Sequence, residues 1–231
     1  MQNFITKLFI TQTMDGDNKL TLLGNIGLIL ILLIIMYVIS TFQKNNKKIR
    51  TKQLVIASVS IALSVILSFI KPFSLPFGGS VTFFSMFFIS FIGLLYGLKT
   101  GLMAGIAYGV LQLITGPYIY HPLQILLDYP LAFACLGLSG LFQLRDRESK
   151  TSLLIRSILG YSIGVLGRYI CHVISGYIFF SEYAGDTHPV LYSLSYNLTY
   201  ILPELIFTII ILCLPPISKL IIELRKMAFE L

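Results

Sequence analysis

Long apolar stretches, separated by short segments that carry most of the charge, constrain this chain more than any other feature. An α-helix needs about 20 apolar residues to cross the hydrocarbon core of a membrane. Seven such stretches can be read, at residues 20–42, 53–70, 81–97, 99–116, 122–142, 152–179 and 190–214. The sequence therefore predicts an all-α integral membrane protein.

The composition agrees with lipid as the main solvent of the chain. Charged residues make up 12% of the sequence and hydrophobic residues 56%, whereas soluble domains carry about 25% charged residues. The 231 residues suffice for these spans and short loops, and leave no room for a separate soluble domain of ordinary size. The three cysteines lie in apolar stretches without CxxC spacing, so we expect small apolar fillers and neither a disulfide framework nor a metal site.

The distribution of lysine and arginine predicts how the chain is oriented. If residues 43–52 are cytoplasmic, thirteen basic residues lie inside and three outside, with Arg168 within a span. The N-terminus is then outside and the C-terminus inside, and the external loops are 71–80, 116–122 and 180–189. The net charge of +7 is thus expected to anchor loops at the cytoplasmic face of the bilayer, not to bind nucleic acid.

Several polar residues lie inside the apolar stretches, where they are costly. A charge at the centre of a span costs about 2.5–3.5 kcal/mol on insertion scales, so it usually faces a cavity or a partner. Counted from the outer ends of their spans, Asp128, His172 and Asn197 fall within a helical turn or two of one depth. A structural polar cluster that joins helices is one interpretation. Because several tyrosines accompany these residues, we favour a ligand site.

The residues at this depth suit a flat, cationic, heteroaromatic ligand. A carboxylate supplies charge pairing, and tyrosine rings supply cation–π contacts. Arg168 lies four residues before His172, on the same helix face, and would either pair with Asp128 or point to a polar part of the ligand. Glu204 follows Pro203 and either satisfies backbone groups that the proline frees, which we prefer, or lines the pocket.

Three blocks of sequence, supported by shorter motifs, carry a recognisable pattern. The blocks are LLDYPLAF at 126–133 with its continuation to 142, RYICHVISG at 168–176, and 192–204; GGSVT at 78–82 and YGLK at 96–99 accompany them. Together they resemble the thiamine-specific membrane subunits of energy-coupling factor (ECF) transporters over residues 53–214. The resemblance implies a six-helix substrate-binding core at 53–231. One additional transmembrane helix and a basic cytoplasmic linker precede it, at 1–52.

The resemblance also implies which residues bind the ligand. Asp128 takes the place of an acidic residue that holds the aminopyrimidine ring of thiamine, and Phe180 that of a stacking aromatic. The implied substrate-binding residues are Asp128, Tyr129, His172, Phe180, Tyr192 and Asn197, and the residues expected around them are Arg168, Tyr196, Glu204 and Gln124. No catalytic residue and no metal site are expected. His121 and His188 lie at loop edges and are expected to be solvated.

The implied function is high-affinity thiamine binding and uptake, as the substrate-specificity subunit of an ATP-driven ECF importer in the bacterial cytoplasmic membrane. Its partners would be a transmembrane coupling protein and two cytoplasmic ATPase subunits, which alone use ATP, because the chain has no P-loop. No cofactor is expected. The chain is not expected to be an enzyme, since neither H-E-x-x-H nor G-x-S-x-G occurs in it.

The alternative is a solitary thiamine permease, a secondary transporter in which Arg168, His172 or Glu204 would relay protons. It stays open because this chain departs from the family pattern in its extra first helix and in a loosened small-residue motif at Ser58 and Ala62. Two further departures concern the ligand site. The acid is an aspartate where the relative compared has glutamate, and the chain has no tryptophan, so that stacking falls to phenylalanine or tyrosine.

Overall fold

The structure, a computed structural model, describes residues 10–12, 18–24, 26, 27, 30, 34 and 51–229. The long helices of the region 51–229 are α1 Thr51–Ser68, α2 Ser85–Tyr96, α3 Leu98–Ile114, α4 Pro122–Phe142, α5 Lys150–Phe179, α6 Pro189–Cys213 and α7 Pro215–Phe229. Two short 3-10 helices, Pro76–Gly78 and Ser181–Ala184, lie in the connecting loops. Strands β1 (Ile10–Gln12) and β2 (Asn18–Leu20) pair antiparallel, as do β3 (Phe73–Ser74) and β4 (Ser80–Val81). The predicted first span, 20–42, and the basic linker after it lie mostly outside the described residues.

Helices α1, α4, α5 and α6 are long and apolar enough to cross a membrane, and α2 and α3 are shorter apolar helices. The predicted all-α membrane fold is confirmed, and six helices correspond to the predicted spans from residue 53 onwards. Helix α2 begins later than its predicted span, because β4 occupies the start of that stretch. Its 12 residues rise only about 18 Å, and all but two of them are buried, so α2 lies among the other helices.

Glycines on one face of α3 allow α4 to approach closely. Gly105 and Gly109 lie one turn apart, and a Cβ added to either would lie within 3 Å of the α4 backbone, at Phe133 O and Tyr129 O respectively. Small residues at such spacing permit close backbone packing between membrane helices. This close contact holds the part of α4 that carries Asp128 against α3.

Helix α4 is irregular where it carries Asp128. It is α-helical over Pro122–Leu126, widens to a π-helix over Leu127–Leu131, returns to α over Ala132–Cys135 and ends as a 3-10 helix over Leu136–Phe142. Pro130 lies inside the π segment and cannot donate a backbone hydrogen bond. Wide turns of this kind are frequent at functional sites.

Helix α7 was not predicted from the apolar pattern, which ends at residue 214. Two prolines open it, and it buries Ser218, Ile221 and Arg225 while Lys219 and Lys226 stay exposed. Its charges kept its hydropathy below that of a span. An amphipathic helix of this kind suits a membrane surface better than the membrane interior.

Candidate ligand-binding site

A cavity opens at the end of the helix bundle where the loops 69–84, 115–121 and 180–188 meet. Counted with its open mouth and the solvent space there, the empty volume is about 970 Å³. All six residues predicted to bind substrate line it: Asp128, Tyr129, His172, Phe180, Tyr192 and Asn197. Of the four residues expected around them, Arg168, Tyr196 and Gln124 also line the cavity and Glu204 does not.

Asp128, His172 and Arg168 form a chain of hydrogen bonds between α4 and α5. His172 Nδ1 lies 3.0 Å from Asp128 Oδ1, and Arg168 Nε donates to His172 Nε2 at 3.2 Å. Because a guanidinium is only a donor, His172 Nε2 must accept, and the ring proton must lie on Nδ1 and point at the carboxylate. His172 is therefore a neutral bridge between a carboxylate and a guanidinium.

Arg168 does not pair directly with Asp128, which was the first of its two predicted arrangements; the second, in which it points to a polar part of the ligand, stays a prediction. Among the described residues it reaches Asp128 through His172, and its guanidinium carbon lies 4.5 Å from the centre of the Phe133 ring, a cation–π contact. The sequence showed that Arg168 and His172 share a helix face, but it gave no sign of the role of Phe133. The arginine charge is thus held beside the cavity wall.

Gln124 and Tyr129 connect the acidic residue to the loop that precedes α4. Gln124 Nε2 donates to Asp128 Oδ2 at 2.6 Å and to the carbonyl of Tyr118 at 3.2 Å, while its Oε1 accepts from the Tyr120 backbone at 3.1 Å. The Tyr129 hydroxyl accepts from the Tyr118 backbone N–H at 2.7 Å. The carboxylate has hydrogen bonds to both oxygens and still keeps lone pairs free for a ligand.

Asn197 brings the third predicted helix to the same level. Its Nδ2 donates to the carbonyls of Ser193 (2.8 Å) and His172 (3.3 Å), and its Oδ1 accepts from the Tyr200 hydroxyl at 2.6 Å. The structure thus places Asp128, His172 and Asn197 together, as their common depth predicted. Most of the hydrogen bonds that the Asn197 amide can form are thus used within α6 and between α5 and α6.

Aromatic rings surround the mouth of the cavity. The centre of the Phe180 ring lies 5.3 Å from that of Tyr120, and 6.0 and 6.1 Å from those of Tyr118 and Phe77. On α6, the rings of Tyr192 and Tyr196 stack at 6.1 Å. These rings offer flat faces to a heteroaromatic ligand.

Tyr196 holds the segment between β3 and β4 beside the cavity through two hydrogen bonds. The Tyr196 hydroxyl donates to the carbonyl of Pro76 and accepts from the backbone N–H of Gly79. Between these two residues, Phe77 adopts a left-handed backbone with φ of 61°, which is strained for a residue with a side chain. The centre of its ring lies 4.4 Å from that of the Tyr183 ring, so the residue with the strained backbone also makes an aromatic contact across the mouth of the cavity.

Tyr120 and His121 connect the loop 115–121 to the opposite side of the mouth. The Tyr120 hydroxyl donates to Glu182 Oε1 at 2.8 Å, and this hydrogen bond is the main cause that raises the pKa of Tyr120 to about 12. His121 stacks on Phe179 at 5.0 Å, and its Nδ1 accepts from the backbone N–H of Leu123. Burial lowers the pKa of His121. His121 is partly buried and is not the solvated residue that was expected.

Glu204 satisfies backbone groups, but those of a neighbouring segment and not those that Pro203 frees. Its Oε2 accepts from Thr82, from the backbone N–H at 3.1 Å and from the hydroxyl at 2.6 Å, and its Oε1 accepts from the Met86 N–H at 3.2 Å. Phe84, at the N-cap of α2, offers no capping side chain, so Glu204 supplies the anion that the start of a helix favours.

Sequence reasoning missed several residues that line the cavity, among them Ser175, Lys71 and Phe77. Ser175 lies three residues after His172 on α5, is 1% exposed, and its hydroxyl has no hydrogen-bond partner among the described residues. Its place one turn from His172 was the only signal the sequence offered. No group of three or more His, Cys, Asp or Glu residues in the described part of the chain could hold a metal ion.

Comparisons with known proteins agree on one family. ThiT of Bacillus subtilis, named a thiamine transporter, is 42% identical over 113 residues, which are 46% of this chain and 59% of the relative. ThiT of Lacticaseibacillus paracasei is 35% identical over 114 residues, 45% of this chain and 57% of the relative. The chain thus spans less than two thirds of the length of either curated relative.

A solved structure extends the likeness to most of the fold. ThiT from Listeria monocytogenes superposes with a TM-score of 0.63 at 27% identity, over 76% of this chain and 96% of that one. The family model described as "Thiamine transporter protein (Thia_YuaJ)" matches residues 54–223. This family is one of transporters, in agreement with the prediction that the chain is not an enzyme. On the match over residues 54–223, the chain belongs to the Thia_YuaJ thiamine transporter family.

Proposed function

We propose that the chain binds thiamine in this cavity and serves its uptake across the bacterial cytoplasmic membrane. The observation that carries the proposal is the Asp128 carboxylate, which faces the cavity with lone pairs to spare and is oriented by His172 and Gln124. Such a carboxylate accepts hydrogen bonds from the amino group of an aminopyrimidine. Relatives in the same family are named thiamine transporters.

The electrostatics of the cavity wall fit a ligand with one positive charge. The guanidinium of Arg168 is held against Phe133 and separated from Asp128 by the neutral ring of His172. Asp128 thus forms no direct ion pair with Arg168, and its negative charge is available to a cationic ligand. The rings at the mouth, Phe180 and the stacked Tyr192 and Tyr196, give the cationic thiazolium ring of thiamine a cation–π surface.

We further propose that the chain acts as the substrate-binding subunit of an ECF importer. A transmembrane coupling protein and two cytoplasmic ATPase subunits would be its partners, and the chain itself would use no cofactor. The cavity mouth would face outward, with the N-terminus outside and the C-terminus in the cytoplasm. The positive-inside distribution of lysine and arginine supports this orientation, and the resemblance of the sequence blocks at 126–142, 168–176 and 192–204 to ECF thiamine subunits supports the assembly.

Calorimetric titration of the purified chain tests the binding proposal. Thiamine, its aminopyrimidine half and its thiazole half are titrated in turn. The expected result is saturable binding of thiamine, weaker binding of the pyrimidine half, and the weakest binding of the thiazole half. Absence of saturable thiamine binding by folded protein would contradict the proposal.

Uptake in two bacterial hosts separates the ECF subunit from the solitary permease. The chain is expressed in a host that lacks every ECF coupling and ATPase subunit, and in the same host supplied with them. Thiamine uptake only in the second host is expected. Uptake in the first host that a protonophore abolishes would instead establish the proton-driven permease, for which Arg168, His172 and Glu204 would be candidate relay groups.

A further inference from the structure

Two of the three cysteines meet inside the bundle, between α4 and α5. Cys135 Sγ and Cys171 Sγ lie 3.7 Å apart, and both residues are partly buried. Gly167, one turn before Cys171 on α5, makes room for this approach, since a Cβ added there would lie 2.9 Å from Cys135 Cβ. Cys213 is exposed at the end of α6. Sequence spacing gave no hint of the pair, because 36 residues separate its members.

The two sulfur atoms are not bonded but lie at about van der Waals contact distance. A disulfide bond is about 2.05 Å long, so the sulfurs must approach by less than 2 Å. Rotation about the Cα–Cβ bonds and a small movement of the helices cover that distance. We propose that Cys135 and Cys171 are an oxidation site that forms a reversible disulfide within the membrane.

The chemistry needs a two-electron oxidant that enters lipid, such as an organic hydroperoxide. Both S–H bonds break, one S–S bond forms, and two electrons and two protons pass to the peroxide. The O–O bond of the peroxide is cleaved, giving an alcohol and water. A small dithiol in solution, or a phosphine with water, reverses the step.

The pair is coupled to the ligand site through the two helices that it would join. Cys171 directly precedes His172, and Cys135 lies seven residues after Asp128 on α4. The 3.0 Å contact between Asp128 and His172 depends on the spacing of these same helices. Drawing the sulfurs together moves the two helices and the hydrogen-bonded pair they carry, so oxidation weakens ligand binding.

Oxidation of the native protein tests the disulfide. Folded protein in detergent is treated with an azodicarboxamide, whose N=N bond takes up the two electrons and two protons, and free thiols are alkylated after denaturation. Mass spectrometry is expected to find Cys135 and Cys171 in one linked peptide that a phosphine separates, while Cys213 is alkylated. Alkylation of all three cysteines after oxidation would overturn the proposal. Cys135→Ser and Cys171→Ser are the matched controls and should yield no internal link.

Thiamine affinity of the oxidised and reduced protein tests the coupling, and this part rests on the proposed function. The oxidised form is expected to bind thiamine at least about fivefold more weakly, the lower end of typical coupling between two sites, and reduction should restore the affinity. Equal affinities with a complete disulfide would overturn the coupling. A reduced protein that does not bind thiamine at all would count against the proposed function, while the disulfide is judged by its linked peptide alone.

Discussion

The surroundings of Asp128 and those of Glu204 are two polar regions of one bundle with opposite characters. Each places a carboxylate in an apolar setting. Glu204 is 2% exposed and accepts three hydrogen bonds within 3.2 Å, all from the segment that begins α2. Asp128 accepts two such hydrogen bonds and faces the cavity. We therefore infer a structural role for Glu204, which its partners enclose, and propose a ligand-binding role for Asp128, whose partners leave it facing the cavity.

The same contrast extends to the neighbours of the two carboxylates. Thr82 and Met86 hold Glu204 through backbone N–H groups, which are fixed by the fold. His172 and Gln124 hold Asp128 through side chains, which can adjust when a ligand binds. We expect substitutions near Asp128 to change ligand affinity and substitutions near Glu204 to change stability.

Asp128→Asn is expected to have the largest effect on binding. The amide keeps a contact with His172 but loses the negative charge that a cationic ligand needs, so thiamine affinity should fall at least about tenfold, the value of a hydrogen bond to a charged group. Calorimetric titration measures the change. Unchanged affinity would remove Asp128 from the site.

Glu204→Gln is expected to have the largest effect on stability. The glutamine NH₂ group would face the N–H of Thr82 or that of Met86, leaving a buried donor unsatisfied. The free energy of unfolding should fall by about 1–3 kcal/mol, as measured by denaturant titration in detergent. An unchanged unfolding midpoint, or thiamine affinity lost as fully as in Asp128→Asn, would contradict the structural role of Glu204.

Ser175→Ala sharpens the comparison within one helix. The hydroxyl of Ser175, which has no hydrogen-bond partner in the described part of the chain, lines the cavity. We expect it to form a hydrogen bond with the ligand, and its loss to weaken thiamine binding about three- to tenfold. Ser157, also on α5, is fully buried, and its hydroxyl likewise has no partner among the described residues, but it does not line the cavity. Ser157→Ala is the matched control and should leave the affinity unchanged; equal effects of both substitutions would refute the assignment.

His121→Asn is expected to have the smallest effect, a weaker dependence of stability on acidic pH. Because burial lowers the pKa of His121, the unfolded chain binds its proton more tightly than the folded chain, and stability falls as the pH drops below about 6.5. Asparagine still caps the start of α4 but does not titrate in this range. The unfolding midpoint of His121→Asn should therefore decline less between pH 7 and 5 than that of the wild type.

The histidine at the other His–Pro helix start provides the control. His188 Nδ1 accepts from the backbone N–H of Val190 at the start of α6, and it is exposed, as expected. His188→Asn should keep the acid sensitivity that His121 contributes. If His121→Asn retains the full wild-type pH dependence, the N-cap at His121 is not its source.

The sequence predicted the core helices and the meeting of Asp128, His172 and Asn197, because hydropathy and rise per residue fix the depth of each group along its helix. It could not give the direction of side chains between helices. Arg168 shows this: its contacts with His172 and Phe133 depend on how α4 and α5 pack. Glu204 shows it too, since its partners are more than 100 residues away in the chain.

Helices α2 and α7 mark the limits of apolar patterning. The pattern cannot tell a membrane span from a helix enclosed by other helices, so α2 was predicted too long. Helix α7 was missed because alternating charges dilute its apolar face. The close packing of α3 against α4 at Gly105 and Gly109 could not be predicted from the sequence either. Glycine occurs in turns, at helix ends and at close backbone contacts alike, so its presence alone does not indicate which of these applies.

The most direct test measures thiamine-induced thermal stabilisation of Asp128→Asn and Glu204→Gln beside the wild type. A ligand that binds only the folded state raises its melting temperature. Glu204→Gln should melt lower than the wild type and still gain stability from thiamine, whereas Asp128→Asn should melt near the wild type and gain little. Loss of the thiamine-induced rise in Glu204→Gln together with its retention in Asp128→Asn would contradict the division between an open ligand carboxylate and an enclosed structural one.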